Sequence, residues 1–285
     1  MKKLIFAILP LVMLFACSDP NEPVDKYISG QPAALLIVVE NNDGLEGGMY
    51  EYGFQMYKDE LLDIFADMFE VDRSQMEDKS LNKIIEEYGE EWQIRAITEA
   101  GEGFYDRVVS LTDETATRDG FIDAVLELSD QGFIVDAVFC LHGGHGTISF
   151  SDGSCGISGV ADELRAGHAK LRSIYQTNCH AYSSMAIWAS AGVIALNGAS
   201  GTNNITMFSP SYFVESWTGG KRFNLAVADA YNREVEKIKS YSSILPVMEY
   251  ILTEENLAGS FQHTGGHDDQ IFWDDFPESW TRPIP

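Results

Sequence analysis

The stretch Val135-Asp136-Ala137-Val138-Phe139-Cys140-Leu141-His142-Gly143-Gly144-His145-Gly146 decides the fold. Apart from Asp136 its first half is an apolar run of strand length, the pattern of a strand covered on both faces. Its second half stops the strand with glycines and carries two histidines. Residues 171–180 repeat the arrangement: Leu171-Arg172-Ser173-Ile174-Tyr175-Gln176-Thr177 runs into Asn178-Cys179-His180. A thiol and an imidazole at the carboxyl ends of neighbouring parallel strands are the minimum equipment of a cysteine hydrolase. In such a sheet, ligands bind at the carboxyl-end loops.

The flanking sequence supplies the rest of the sheet. Residues 33–39 form a continuous apolar run closed by Glu40-Asn41-Asn42-Asp43-Gly44, as expected of a central parallel strand. Residues 50–69 carry Phe54, Tyr57, Leu61, Leu62, Phe65, Met68 and Phe69 at helical spacing, and residues 81–88 suggest a second helical piece. Residues 92–98 and 107–111 are strand candidates. Thr115 to Gly120, followed by Phe121, Ile122, Val125, Leu126 and Leu128, reads as a capped amphipathic helix that ends at Asp130-Gln131-Gly132. Strand 134–141, helix 158–169, strand 171–177, helix 181–190, strand 192–197 and helix 223–240 then follow. This alternation predicts an α/β fold, a mainly parallel sheet flanked by helices on both faces. The domain is read as residues 33–255, with an irregular C-terminal tail over 256–285.

The 285 residues are 45% hydrophobic, enough for one sizeable core. Lysine and arginine total 19 against 44 acidic residues, for a formal net charge of −25. A chain this acidic repels nucleic acid and anionic lipid, so neither is an expected partner. The amino terminus reads as a secretory signal over residues 1–16. Lys2 and Lys3 precede an apolar stretch, and Leu14-Phe15-Ala16-Cys17 closes it. That order resembles a bacterial lipoprotein signal, in which Cys17 is lipidated. Residues 17–32, rich in proline and mixed charge, read as a flexible tether. The expected location is the bacterial cell envelope, membrane-anchored, on the periplasmic side or at the surface. Cys140 lies inside an apolar pattern and reads as an inert core residue, whereas Cys179 has polar neighbours at a strand end.

The order apolar strand, His-Gly, apolar strand, Cys resembles the caspase-like superfamily of cysteine peptidases, with its metacaspases, gingipains and clostripains. The run Cys179-His180-Ala181-Tyr182-Ser183 is similar to the metacaspase form. The resemblance implies a caspase-like α/β/α sandwich and a cysteine endopeptidase with a Cys-His dyad, acting on a protein or peptide without a cofactor or metal. Cys179 would be the nucleophile and His145, in the Gly-His-Gly form, the base. His142, also followed by glycine, is the alternative base. Backbone N–H groups of Gly146 and Cys179 would hold the oxyanion, each such donor lowering the barrier by roughly 3 kcal/mol. Asp136, Asp152, Asn178 and Ser200 are candidates for the substrate pocket, the two aspartates equally for structural carboxylates. Family members often have an acidic residue just before the cysteine where this chain has Thr177-Asn178, so a preference for Arg or Lys is not implied. The rival reading is a catalytically inactive caspase-like domain that binds a protein or peptide in the same cleft.

Weaker constellations remain. His142, His145, Cys179 and His180 could be read as zinc ligands, but histidines three apart in a glycine turn lack the helical geometry of known zinc motifs. His263-Thr264-Gly265-Gly266-His267-Asp268-Asp269 reads first as a solvated loop and second as a cation site. Without a Gly-x-Ser-x-Gly elbow, serine-centred hydrolysis is disfavoured.

Overall fold

Residues 33–40 contain no charged side chain before Glu40, and in the structure every one of them is buried. They form the strand around which the rest is built. The structure is a computed structural model that describes residues 31–40, 49–242, 248–275 and 280. Cys17, the signal reading and most of the tether lie outside the described residues.

In chain order, β1 (Ala33–Glu40) is followed by α1 (Met49–Met56), α2 (Lys58–Phe69), α3 (Leu81–Ile84) and α4 (Glu90–Ala100). Next come β2 (Arg107–Thr112), α5 (Arg118–Asp130), β3 (Ile134–Gly144), β4 (Thr147–Phe150), β5 (Gly153–Gly156), α6 (Ile157–Ala166), β6 (Leu171–Gln176) and α7 (Met185–Ser190). The chain ends with β7 (Ala195–Ala199), α8 (Ser209–Thr218), α9 (Phe223–Ser242), α10 (Met248–Ile251), α11 (Glu254–Ser260) and β8 (Gln262–Gly266). The sheet order is β2-β1-β3-β6-β7-β8, with β4 and β5 extending β3 as an antiparallel flap. The pairings from β2 through β7 are parallel, and β8 closes the far edge antiparallel to β7.

Helices cover both faces, as the alternation predicts. One face packs Val38, Phe139 and Ile174 against Phe121 and Val125 of α5, Val160 of α6 and Trp188 of α7. The other packs Ile37, Val138 and Tyr175 against Ile97 of α4, Phe213 and Trp217 of α8 and Val227 of α9. Thr117 caps α5 as expected, its side chain accepting the Gly120 N–H. A separate cluster around Phe54, Leu62, Phe65, Phe69 and Ile84 lies under α1 to α3.

Three elements differ from expectation. Residues 92–98, a strand candidate, lie in α4, because Gln93 and Ile97 fall on one helical stripe. That stripe is buried, and the Gln93 amide donates to the Thr206 and Met207 carbonyls. The third strand segment is shifted, running 195–199 rather than 192–197. Residues 256–285, read as irregular, include most of α11 and all of β8. The sequence Gln262-His263-Thr264-Gly265-Gly266 has a single β-branched residue, Thr264, and two glycines, a weak strand signal. It is held instead by backbone pairing to β7, where Asn197 also donates to the Gln262 side chain at 2.8 Å.

Candidate active site

The sheet register brings the two reactive stretches level. Val138 pairs with Tyr175 and Phe139 with Gln176, an offset of 37. The Thr177 N–H continues the ladder to the Phe139 carbonyl at 3.0 Å. The strand pairing ends at Phe139 and Gln176, three residues before His142 (142 − 139) and three before Cys179 (179 − 176), so both follow the same ends of adjacent parallel strands. Parallel partners present their side chains to the same face of a sheet. Below the cysteine, β6 and β7 are joined by a side-chain zipper. Asn197 accepts the Gln176 N–H at 2.8 Å and donates to its carbonyl at 3.0 Å, while the Gln176 amide donates to the Asn197 carbonyl at 2.6 Å.

Gly143 has to be glycine for a spatial reason. A Cβ there would lie 2.8 Å from the Thr147 carbonyl oxygen and 2.9 Å from the Asn178 amide nitrogen. The β3–β4 hairpin is therefore seated directly on the residue before the cysteine. Its turn is His145-Gly146, with Gly146 at φ +70°, a conformation that costs other residues strain.

The two histidines have different settings. His142 is half-buried on β3, and its Nε2 is buried without a protein partner. It lines a cleft of about 850 Å³ with Glu40, Asp113, Glu114 and Asp152. His145 is exposed at the hairpin tip, and its ring lies 4.2 Å from that of His180. The Gly146 N–H, expected to hold an oxyanion, donates instead to Ser183 Oγ at 3.1 Å. Ser183 in turn donates to the His180 carbonyl at 2.8 Å.

Cys179 is a free, partly accessible thiol whose sulfur accepts the Asn203 N–H at 3.4 Å. Among the described residues no hydrogen bond joins it to His142 or His145. Cys140 is free and buried, and burial pushes its thiol well up, with Glu234 and Glu90 adding to the rise. That is the inert core residue the sequence suggested. Five buried side-chain polar atoms without a protein partner sit on His142, Gln176, Asn178 and His180. Native interiors seldom leave such atoms unmatched, and concentrating them marks where solvent or a ligand completes the bonding.

The other predicted site residues divide. Asp152 lies in the His142 cleft and accepts the Arg118 N–H at the start of α5. Asn178 is fully buried against Gly143. Ser200 is on the opposite side of Cys179, donating to the Ala258 carbonyl at 2.8 Å and lining a groove with His263 and Phe261. Asp136 does not belong to the cleft. It is fully buried on β3, ion-paired with Arg172, and accepts from Ser173 Oγ at 2.6 Å, Tyr105 Oη at 2.9 Å and Trp217 Nε1 at 3.2 Å. Burial alone would raise its carboxyl, but the Arg172 guanidinium and these donors hold it below the ordinary carboxylate range. A carboxylate six residues before the histidine on a buried strand is spent on the core.

Sequence reasoning missed Asn203, Ser183 and Glu234. Glu234 is buried on α9, where its carboxylate accepts the Met207 N–H at 2.8 Å and the Ser209 N–H at 2.5 Å and anchors the loop after β7. Desolvation raises this carboxyl against the pull of its donors. The available signal for Asn203 was the polar run Thr202-Asn203-Asn204 directly after the strand-end turn Asn197 to Gly201.

No family model matches the chain, and no curated protein matches it. Among solved structures, a secreted C11 cysteine protease from Bacteroides thetaiotaomicron, iotapain, is similar over 67% of this chain and 64% of that one. The identity is 8% and the TM-score 0.34. At that distance the chemistry of the site rests on this chain's own residues. No described helix is long and apolar enough to cross a membrane, and no described group of three His, Cys, Asp or Glu is close enough to hold a metal ion.

Proposed function

We propose that this chain is a caspase-like cysteine endopeptidase in which Cys179 attacks a peptide carbonyl. The observation that carries the reading is the parallel pairing of β3 and β6 up to Phe139 and Gln176, after which His142 and Cys179 follow at the carboxyl ends of adjacent strands. The buried and unpartnered Nε2 of His142 favours His142 as the base over His145, whose ring is engaged with His180. In the reaction His142 takes the thiol proton, the thiolate forms the acyl-enzyme and the leaving amine takes a proton back from the imidazolium. Water then hydrolyses the thioester. The Cys179 N–H is the nearest oxyanion donor, with that of Gly146 joining it only if Ser183 lets go.

The occupied Gly146 N–H and the missing Cys-His hydrogen bond favour a second reading, a silent domain that binds peptide in the same cleft. The full chain, assayed against a mixed peptide library, separates the two. Cleavage should vanish in Cys179→Ala, fall by about 10²- to 10⁴-fold in His142→Ala, and fall less than about ten-fold in His145→Ala. Folded wild type that binds library peptides without cleaving them would establish the silent domain. The reading includes a lipid anchor on Cys17 at the cell envelope. Metabolic labelling with a fatty acid should mark wild type and not Cys17→Ala.

A further inference from the structure

The loop after β7 is built around the Cys179 sulfur. Its Asn203 is buried, and its side chain makes two hydrogen bonds that run in different directions. Nδ2 donates to the carbonyl of Thr177, at the end of β6, at 2.8 Å, and Oδ1 accepts the Ile205 N–H at 3.1 Å. The first fixes the loop to the strand that carries the cysteine, and the second closes a local turn of the kind asparagine makes with the backbone two residues on. Held between them, the Asn203 main-chain N–H points at Sγ at 3.4 Å. Neighbouring bonds keep the loop from drifting. The Gly201 carbonyl accepts the His180 N–H at 2.8 Å, the Asn204 N–H donates to Ser260 Oγ at 2.8 Å, and Glu234 takes the Met207 and Ser209 N–H groups.

We infer that Asn203 is a positioning residue for the Cys179 thiol, clamping its own N–H onto the sulfur so that negative charge is stabilised there. The inference rests on reading Cys179 as the nucleophile. Its physical need comes from the setting. The chain carries a net charge of −25, and the cleft that His142 lines holds Glu40, Glu86, Asp113, Glu114 and Asp152 against one cation, Lys83. No Lys or Arg among the described residues bonds the sulfur. A fixed neutral dipole supplies the stabilisation a cation would otherwise give, because a hydrogen bond to the charged form favours that form.

The test is the pH dependence of iodoacetamide alkylation of Cys179, followed in the full chain by mass spectrometry of the peptide that contains it. The variants are Asn203→Ala and Asn203→Asp. Iodoacetamide reacts with the thiolate, so its rate follows ionisation at neutral pH and accessibility at high pH. Loss of one hydrogen bond to a charged sulfur predicts that Asn203→Ala reacts about ten-fold more slowly than wild type at pH 7 and equally fast near pH 10. Asn203→Asp should be slower still at pH 7, because it adds a carboxylate beside the sulfur. It is nearly isosteric, keeps the acceptor for Ile205, and carries the test alone if the alanine variant does not fold. Equal rates in variant and wild type at pH 7, or the same slowing at both pH values, would overturn the inference. The readout does not depend on turnover: a wild type that cleaves nothing while the Asn203 effect persists sinks the peptidase reading only. An active wild type with no Asn203 effect sinks the positioning role only.

Discussion

Replacing Asp136 by asparagine tests whether the carboxylate on β3 belongs to the core or to the substrate pocket. The side chain receives Arg172 through two nitrogens, Nε at 2.9 Å from Oδ1 and Nη2 on Oδ2, besides Ser173, Tyr105 and Trp217. Both partners of the ion pair are 2% exposed. Asparagine keeps the shape and one acceptor oxygen but removes the charge, which leaves the Arg172 guanidinium buried with no anion opposite it. Breaking one side of a buried pair costs about 3–5 kcal/mol. At about 2–4 °C per kcal/mol for a domain of this size, Asp136→Asn should melt roughly 10 °C below wild type. The double variant Asp136→Asn/Arg172→Met should recover part of that loss, since no unpaired charge is left. The acid limb carries the same information. Because the folded carboxyl is held below its ordinary value, the unfolded chain binds the proton more readily. The stabilisation is complete above the ordinary carboxylate range and lost as pH falls through the lowered folded value. The Asp136→Asn curve should therefore be flatter in acid than that of wild type. Urea melts at several pH values measure both effects. A loss under about 1 kcal/mol, or two single variants whose effects simply add, would refute the reasoning; unchanged stability with a raised KM would return Asp136 to the pocket.

Other outcomes follow from particular contacts. Gly143→Ala forces a Cβ against the Thr147 carbonyl and the Asn178 amide, so it should cost about 1–3 kcal/mol by overpacking and lower cleavage by moving β3 off Asn178. Cys140, buried and with its thiol pushed up, should resist iodoacetamide in the native protein and react only after denaturation, which peptide mapping of the labelled protein would check. A chain ending at Ser260 removes β8 and the Trp273 carbonyl that accepts from Arg172. It should fail to give a cooperative melt, whereas a dispensable tail would leave the melt unchanged.

The sheet was readable because its central strands are buried on both faces and so declare themselves as unbroken apolar runs. Residues 33–39 are of that kind and 134–141 are broken only by Asp136, whereas 171–177, equally buried, carry Arg172, Ser173, Gln176 and Thr177 among their apolar residues. The edges were not readable in the same way. The strand β8 carries glycine, threonine and histidine, and its pairing partner lies 63 positions or more away in sequence along its whole length, as with Gly198 and His263, 65 apart (263 − 198). Such pairing leaves no local trace. The α4 segment misled for the opposite reason: Trp92, Ile94 and Ile97 look strand-like in isolation, while the burial that decides the case falls on Gln93 and Ile97. At the site, Cys179 and both histidines were visible as residue types at strand ends, but the buried Nε2 of His142 and the contact of His145 with His180 appear only in the folded chain. Asn203 meets the sulfur through its main-chain N–H, a role that side-chain identity does not advertise, and Ser183 acts through its Oγ on a distant glycine N–H.

The topology also explains why the Cys179 thiol lies where it does. In the order β2-β1-β3-β6-β7-β8, chain growth moves outward from β1 to β2, returns to β3 on the other side of β1, and then runs on through β6 and β7. The reversal leaves the carboxyl ends of β1, β3 and β6 without crossover loops stacked over one another, and a crevice forms there. The acidic cleft opens along that line, from Glu40 at the end of β1 to His142 at the end of β3. The Cys179 segment follows β6, the next strand along the sheet, and the loop from β7 to α8 reaches the sulfur through the Asn203 N–H. Each wall is tied to the sheet by bonds that do not involve substrate: Gly143 on Asn178, Asn197 across to Gln176, and Glu234 under the loop. A thiol held by such a frame is fixed before any ligand arrives, as acyl-transfer chemistry requires and a flexible binding loop would not need.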